Sequence, residues 1–193
     1  MNTEASKRVC IFCGHRTGKK RVWVDFASEL GNFLGKNKYI LFYGGGSKGI
    51  MGSVARAAKK SGARVHGVIT EKLAEKEPIL KNIDEVTLVK TLSERKEKLI
   101  ENCHVAIVLP GGIGTLDELF DLWVKIQLGV EEKILILVDI NSYYSKLLVF
   151  LRHVVDEGFL TEEQLSKTKI CQNLNEVIVE LNKLDVDNAK FIY

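Results

Sequence analysis

The chain has 193 residues, 46% of them hydrophobic and 27% charged, with a formal net charge of +3. These values belong to a folded globular chain with room for a real core and exclude a disordered one. The net charge is small, and lysines such as Lys19, Lys20, Lys59 and Lys60 are scattered among acids, so no nucleic-acid stripe is implied.

From Met1 to Arg8 the chain is polar and charged and lacks the apolar region of a signal peptide. No run approaches the roughly 18 apolar residues of a membrane span, so a cytoplasmic protein that does not engage a membrane is expected. A strand is predicted over 9–12, carrying Cys10 and ending at Cys13. This CxxC lacks both a second zinc-spaced pair and the loop-to-helix context of a redox motif. It reads, with Cys103 and Cys171, as inert thiols. An amphipathic helix over 22–34 leads to a strand over 39–43, a helix over 51–60 and a strand over 64–69. A strand over 85–89 and a helix over 93–102 come next. Strands over 105–109 and 134–138 then alternate with helices over 115–128 and 143–155. The segment 161–184 reads as two short helices around Lys169–Cys171, the first opened by the capping pattern Thr161-Glu162-Glu163-Gln164. Strands of about five residues separated by helices of 10–15 predict βαβ units. The expected fold is a three-layer α/β architecture: a mostly parallel, Rossmann-like sheet with helices on both faces. With no linker, repeat or low-complexity stretch, one nucleotide-binding domain spans 1–193.

Glycine-bearing turns follow the first, second and fifth strands, where ligands of such sheets bind. Gly44-Gly45-Gly46-Ser47-Lys48-Gly49 satisfies GxGxxG, which raises a dinucleotide fold with Glu71 as the ribose acid. Against it, the motif follows the second strand and the acid lies beyond the usual spacing. A P-loop is excluded, because Ile50-Met51 stand where Lys-Ser/Thr must be. Pro110-Gly111-Gly112-Ile113-Gly114-Thr115 opens a helix whose free N–H groups suit a phosphate. Thr115-Leu116-Asp117-Glu118 is equally a T-x-x-E capping box, and local physics leaves the two readings level. Leu116, Leu119, Phe120, Trp123 and Ile126 form a core stripe, from which Glu118 projects outward to a pocket, a partner subunit or solvent. On the helix over 93–102, Leu92, Leu99 and Cys103 define the inner face, and Arg95 and Lys96 flank it. His15, His66, His104 and His153 have no ligand spacing, so no metal is expected. His66 and His104 read as satisfied structural residues.

The runs Tyr43-Gly44-Gly45-Gly46-Ser47-Lys48-Gly49-Ile50-Met51-Gly52, Glu94-Arg95-Lys96 and Pro110-Gly111-Gly112-Ile113-Gly114-Thr115-Leu116-Asp117-Glu118 resemble the "lonely guy" family. Its members are cytokinin riboside 5′-monophosphate phosphoribohydrolases, long labelled lysine decarboxylases. The resemblance runs from about Val9 into the helix at Tyr143. It implies hydrolysis of the N-glycosidic bond of AMP or an N6-substituted AMP, giving free base and ribose 5-phosphate without a cofactor. Arg95 and Glu118 fall on the family's catalytic pair. Its substrate contacts fall on Glu77, Arg95, Lys96, Gly111, Gly112, Ile113, Gly114, Thr115, Leu116 and Asp117. Gly14, His15, Gly45 and Gly46 are candidate loop contacts, and a homodimer with the site near the subunit interface is implied. Three places depart from the family's pattern: His15-Arg16 replace Ser-Ser, Ile113 replaces Tyr, and Val124-Lys125 replace Thr-Trp. The decarboxylase label would require a pyridoxal phosphate lysine, and no lysine stands in such a context. The rival reading is a non-catalytic carrier of a nucleotide or of the pterin molybdenum cofactor on a similar fold; it needs the glycine loop but not the Arg95/Glu118 pair.

Overall fold

The computed structural model describes residues 7–188, with helix side chains described as far as Lys183. Short runs of Val, Ile and Leu form β1 (Arg8–Phe12), β2 (Ile40–Tyr43), β3 (Arg64–Thr70), β4 (Glu85–Val89), β5 (Val105–Val108), β6 (Ile134–Val138) and β7 (Thr168–Cys171). β2 and β5 are buried along their whole length, the pattern of parallel strands covered on both faces. All six neighbouring pairs are parallel, in the order β4-β3-β2-β1-β5-β6-β7.

Helices α1 (Val22–Lys36), α2 (Gly49–Lys60) and α8 (Leu174–Asn188) lie on one face, where Leu30, Val54 and Val177 join Ile11 and Ile107 in a core cluster. On the other face α4 (Leu92–Glu101), α5 (Ile113–Gln127) and α6 (Ser145–Asp156) contribute Leu99, Leu122 and Leu151 to a second cluster. This is the expected three-layer fold. Among the described residues no helix is long and apolar enough to cross a membrane.

The six anticipated strands form within a residue of their expected bounds. The segment 161–184 differs: between α7 (Glu162–Ser166) and α8 the chain pairs with β6 as a seventh strand, Leu135 opposite Thr168 and Val138 opposite Cys171. Four residues at a sheet edge are too few for a period to register. The short helix α3 (Glu71–Ala74) was likewise not anticipated. The capping box at Thr161 does form: its hydroxyl accepts the Gln164 N–H at 3.1 Å, and the Gln164 side chain accepts the Thr161 N–H at 2.9 Å. All four cysteines are buried and free. His104 accepts the Arg8 N–H at 3.4 Å; His66 pairs through Nδ1 with Glu85, but its buried Nε2 finds no partner among the described residues, so it is only half satisfied there.

Strand order reverses between β1 and β5, and their C-terminal loops diverge to leave the crevice of a topological switch point. The two loops touch there, the Gly14 N–H donating to Pro110 O at 3.0 Å.

Candidate active site

A cavity of about 590 Å³ opens at this crevice. Its walls come from the loops after β1 (Cys13, Gly14, His15, Arg16), β2 (Gly44) and β5 (Pro110, Gly111, Gly112), and from the first turns of α5 (Ile113, Gly114, Thr115, Glu118). All three glycine-bearing turns therefore meet in one place. Ile50, Met51, Ile69, Leu73 and Leu92 supply apolar wall; Trp23 and Tyr143 close one side.

Helix α5 starts at Ile113, two residues before the expected 115, and its N-cap lies three residues before the Thr115 of the capping pattern. Gly112, in extended conformation, is the N-cap, and no side chain caps the end. The Thr115 N–H donates to Gly112 O at 3.0 Å, so the T-x-x-E box does not form and the Glu118 side chain is free for another partner. The glycines of this loop are not equivalent. A Cβ at Gly111 would stand 2.1 Å from the Thr115 hydroxyl, whereas at Gly112 and Gly114 it would meet nothing within 4 Å. Packing thus requires glycine at 111 only. At 112 and 114 the missing side chains leave open space beside the unpaired N–H groups of a helix start, the arrangement that receives an anion.

Of the three outlooks open to Glu118 it takes the pocket, but from the buried side of α5 and not from the outer one: it is 6% exposed and lines the cavity. The buried arc of α5 runs through Thr115, Glu118, Leu119, Leu122 and Trp123, while Phe120, expected in the core, is 37% exposed and stacks on Trp123. The opposite arc, Ile113, Phe120, Val124 and Leu128, is exposed. Apolar residues therefore cover far more than the ~100° arc of a core-facing helix, and periodicity cannot tell which part faces inward.

Arg95 reaches Glu118 from α4. The capping hydroxyl of Thr91 accepts the Glu94 N–H at 3.1 Å and fixes the start of that helix. Each guanidinium nitrogen then donates once: Nε to Val68 O at 2.9 Å, Nη2 to Gly44 O at 3.3 Å and Nη1 to Glu118 Oε1 at 3.0 Å. Gly44 is needed for this passage, since a Cβ there would lie 2.0 Å from Nη2. Burial pushes the Glu118 carboxyl up to about 7, with the Arg95 charge restraining the shift and Asp117 adding to it. Cys13, beside the pair, is likewise raised by burial, as expected of an unreactive thiol.

Of the other sequence candidates, Glu77, Gly14, His15, Gly111, Gly112, Ile113, Gly114 and Thr115 line the cavity. Lys96 does not: its ammonium pairs with Asp117 at 2.9 Å and Asp121 at 3.3 Å on the polar side of α5, and Leu116 and Asp117 also lie outside the lining. Gly45 and Gly46 are covered by the chain that follows Glu77. The Leu80 N–H donates to Gly45 O, the Ser47 N–H donates to Pro78 O, and Gly46 bridges Ile79 antiparallel. Glu71, the ribose acid of the dinucleotide alternative, is exposed outside the cavity. Leu92, expected on the inner face of α4, is 58% exposed at the cavity mouth. Sequence reasoning missed Trp23, Tyr143, Ile69 and Leu73, whose apolar character reads as core.

The family model described as possible lysine decarboxylase matches residues 51–181. A cytokinin riboside 5′-monophosphate phosphoribohydrolase of Arabidopsis thaliana is 37% identical over 93% of this chain and 82% of its own length. The chain belongs to this family. A probable enzyme of the same name from Oryza sativa subsp. japonica is 36% identical over 96% of this chain and 76% of its own. Among solved structures, the molybdenum cofactor carrier protein of Chlamydomonas reinhardtii superposes with a TM-score of 0.72 over 94% of this chain and 99% of that one, at 16% identity. The molybdenum cofactor binding protein of Rippkaea orientalis gives 0.69 over 94% and 99%, at 15% identity. At such identities the family member and the carriers share a fold.

Proposed function

We propose that the protein hydrolyses the N-glycosidic bond of a nucleoside 5′-monophosphate, AMP or an N6-substituted AMP, to free base and ribose 5-phosphate. The observation that carries this reading is the buried Arg95–Glu118 pair on the floor of a glycine-lined cavity. A carrier needs the glycines; it does not need a desolvated carboxyl poised near neutrality. The relatives' names favour the same choice.

In this reading the 5′-phosphate lies against the start of α5, where Gly112 and Gly114 leave room and the N–H groups and helix dipole favour negative charge. The ribose then lies over Glu118. As the C1′–N bond breaks, its electron pair leaves with the base, and ionised Glu118 stabilises the positive charge at C1′. Water adds its oxygen to C1′ and gives up a proton as the base takes one up. Arg95 holds the carboxylate in place; a guanidinium stays protonated and does not act as the acid. Glu77, His15 and Ile113 are the substrate contacts around this centre, with Arg16 beside them on the rim.

We further propose a homodimer through the exposed arc of α5, Phe120, Val124 and Leu128. Ile113 on this arc and Leu92 of α4 are both exposed and line the cavity mouth, which supports an interface beside the site.

The deciding experiment incubates purified protein with AMP, N6-substituted AMP and other nucleoside monophosphates, and assays free base and ribose 5-phosphate. Release of both without added metal or pyridoxal phosphate is expected. Tight binding of a nucleotide with no release would return the chain to the carrier reading.

A further inference from the structure

Behind the loop after β5 stand two consecutive tyrosines. The Tyr144 hydroxyl donates to Leu109 O at 2.8 Å, and the Tyr143 hydroxyl donates to Gly111 O at 2.6 Å. The two carbonyls flank Pro110. Tyr144 is buried, whereas Tyr143 is 42% exposed and lines the cavity, its ring edge-on to Trp23 at 5.4 Å and to Tyr144 at 4.8 Å. A hydroxyl this exposed would be satisfied by water, so core packing does not demand its bond to Gly111.

The connection that delivers the pair is strained. Asn141 and Ser142 both take left-handed backbone, φ 49° and 56°, a conformation two successive non-glycine residues keep only when their surroundings impose it. Asp139 Oδ1 accepts the Tyr144 N–H at 2.5 Å and holds the bend.

We infer that Tyr143 is a positioning residue for the phosphate site. The peptide joining Gly111 to Gly112 lies between two residues without side chains, whose backbone has more conformations open to it than any other residue type allows. In a trans peptide the N–H points opposite to the carbonyl. By gripping Gly111 O, Tyr143 therefore sets the direction of the Gly112 N–H before any ligand arrives. Ordering the donor in advance removes that cost from binding. The inference rests on the phosphate reading of the loop given above.

The test is Tyr143→Phe, which keeps the ring and its contact with Trp23. Ribose 5-phosphate is titrated by calorimetry, and AMP and adenosine turnover are measured. The expected result is a rise of about five- to tenfold in the Kd of ribose 5-phosphate and in the KM of AMP, the size of one hydrogen bond. kcat should stay within about twofold, adenosine kcat/KM should not change, and Tm should fall by no more than a few degrees, the size of the same hydrogen bond. Tyr144→Phe is the structural control: it leaves Leu109 O without its buried partner and should lower Tm with a smaller effect on affinity. If wild type binds ribose 5-phosphate and Tyr143→Phe binds it equally well, the positioning role is overturned and the proposed function stands. A fall in kcat at constant KM would overturn the positioning role as well. Wild type that binds no ribose 5-phosphate would overturn the phosphate reading and this inference together.

Discussion

Arg95 Nη1 and Glu118 Oε1 meet at 3.0 Å with side chains only 11% and 7% exposed. Burying such a pair costs desolvation that its attraction does not regularly return, so its presence in a cavity points to chemistry. Glu118→Gln keeps an acceptor for Arg95 and removes the charge. Turnover of AMP should fall by at least about two orders of magnitude, roughly 3 kcal/mol of barrier, in a protein that melts no lower than wild type. Arg95→Lys should fall comparably, because an ammonium cannot hold Val68 O, Gly44 O and Glu118 at once. Near-normal kcat in Glu118→Gln would leave the mechanism without its carboxylate.

The raised carboxyl sets a pH dependence. If ionised Glu118 is the working form, kcat/KM for AMP rises through an apparent pKa near 7 and levels off above it. Stability runs the other way. A carboxyl whose folded pKa lies above its unfolded value of 4.5 favours the fold fully below about 4.5, and this contribution is lost as pH rises to about 7. Glu118→Gln should therefore gain stability over wild type at pH 8, on the order of 1–3 kcal/mol, and gain little at pH 4. Urea titrations at the two pH values measure the difference; equal gains would place the carboxyl at an ordinary pKa.

Glycine substitutions should separate space kept for the ligand from space used by the protein. Gly112→Ala and Gly114→Ala put a methyl where the fold has nothing. Both should fold, Gly114→Ala gaining a few tenths to about 1 kcal/mol from helix propensity. Both should raise the KM of AMP severalfold and leave adenosine unaffected. Gly44→Ala strikes Arg95 instead and should lower kcat. If Gly112→Ala and Gly114→Ala bind ribose 5-phosphate as wild type does, the phosphate lies elsewhere.

Val124 is 50% exposed in the middle of the outer arc of α5. Val124→Glu should convert a dimer to a monomer in light scattering, with little change in Tm extrapolated to low concentration, since no core contact is lost. A dimer that survives the substitution would move the interface off α5.

The fold was legible because β-branched runs and amphipathic helices alternate with little ambiguity; β7 escaped because an edge strand of four residues carries no period. The glycine loops and the Arg95/Glu118 pair were also legible, but the direction of Glu118 was not. Helix α5 has apolar residues on two arcs, and the stripe that contains Phe120 looks as hydrophobic as the one that contains Leu122. Only packing against β1 and β5 decides between them. Lys96 misled for a related reason: spacing places it next to Arg95 but says nothing of Asp117 and Asp121, which take up its charge. Tyr143 left no trace in the sequence because its importance lies in one hydroxyl reaching one carbonyl far away in the chain.

The contact between Gly14 and Pro110 also bears on how the molecule assembles. The first strand made becomes the middle of the sheet, and one of its neighbours, β5, comes from the second half of the chain. Loop closure over that distance makes this pairing slow compared with the local helices. A chain still emerging from the ribosome would own one wall of the crevice and lack the other until β5 and α5 arrive. Ligand recognition at this crevice is then a property of the finished sheet alone, and a bound ligand would draw the equilibrium toward complete molecules without rescuing half-built ones.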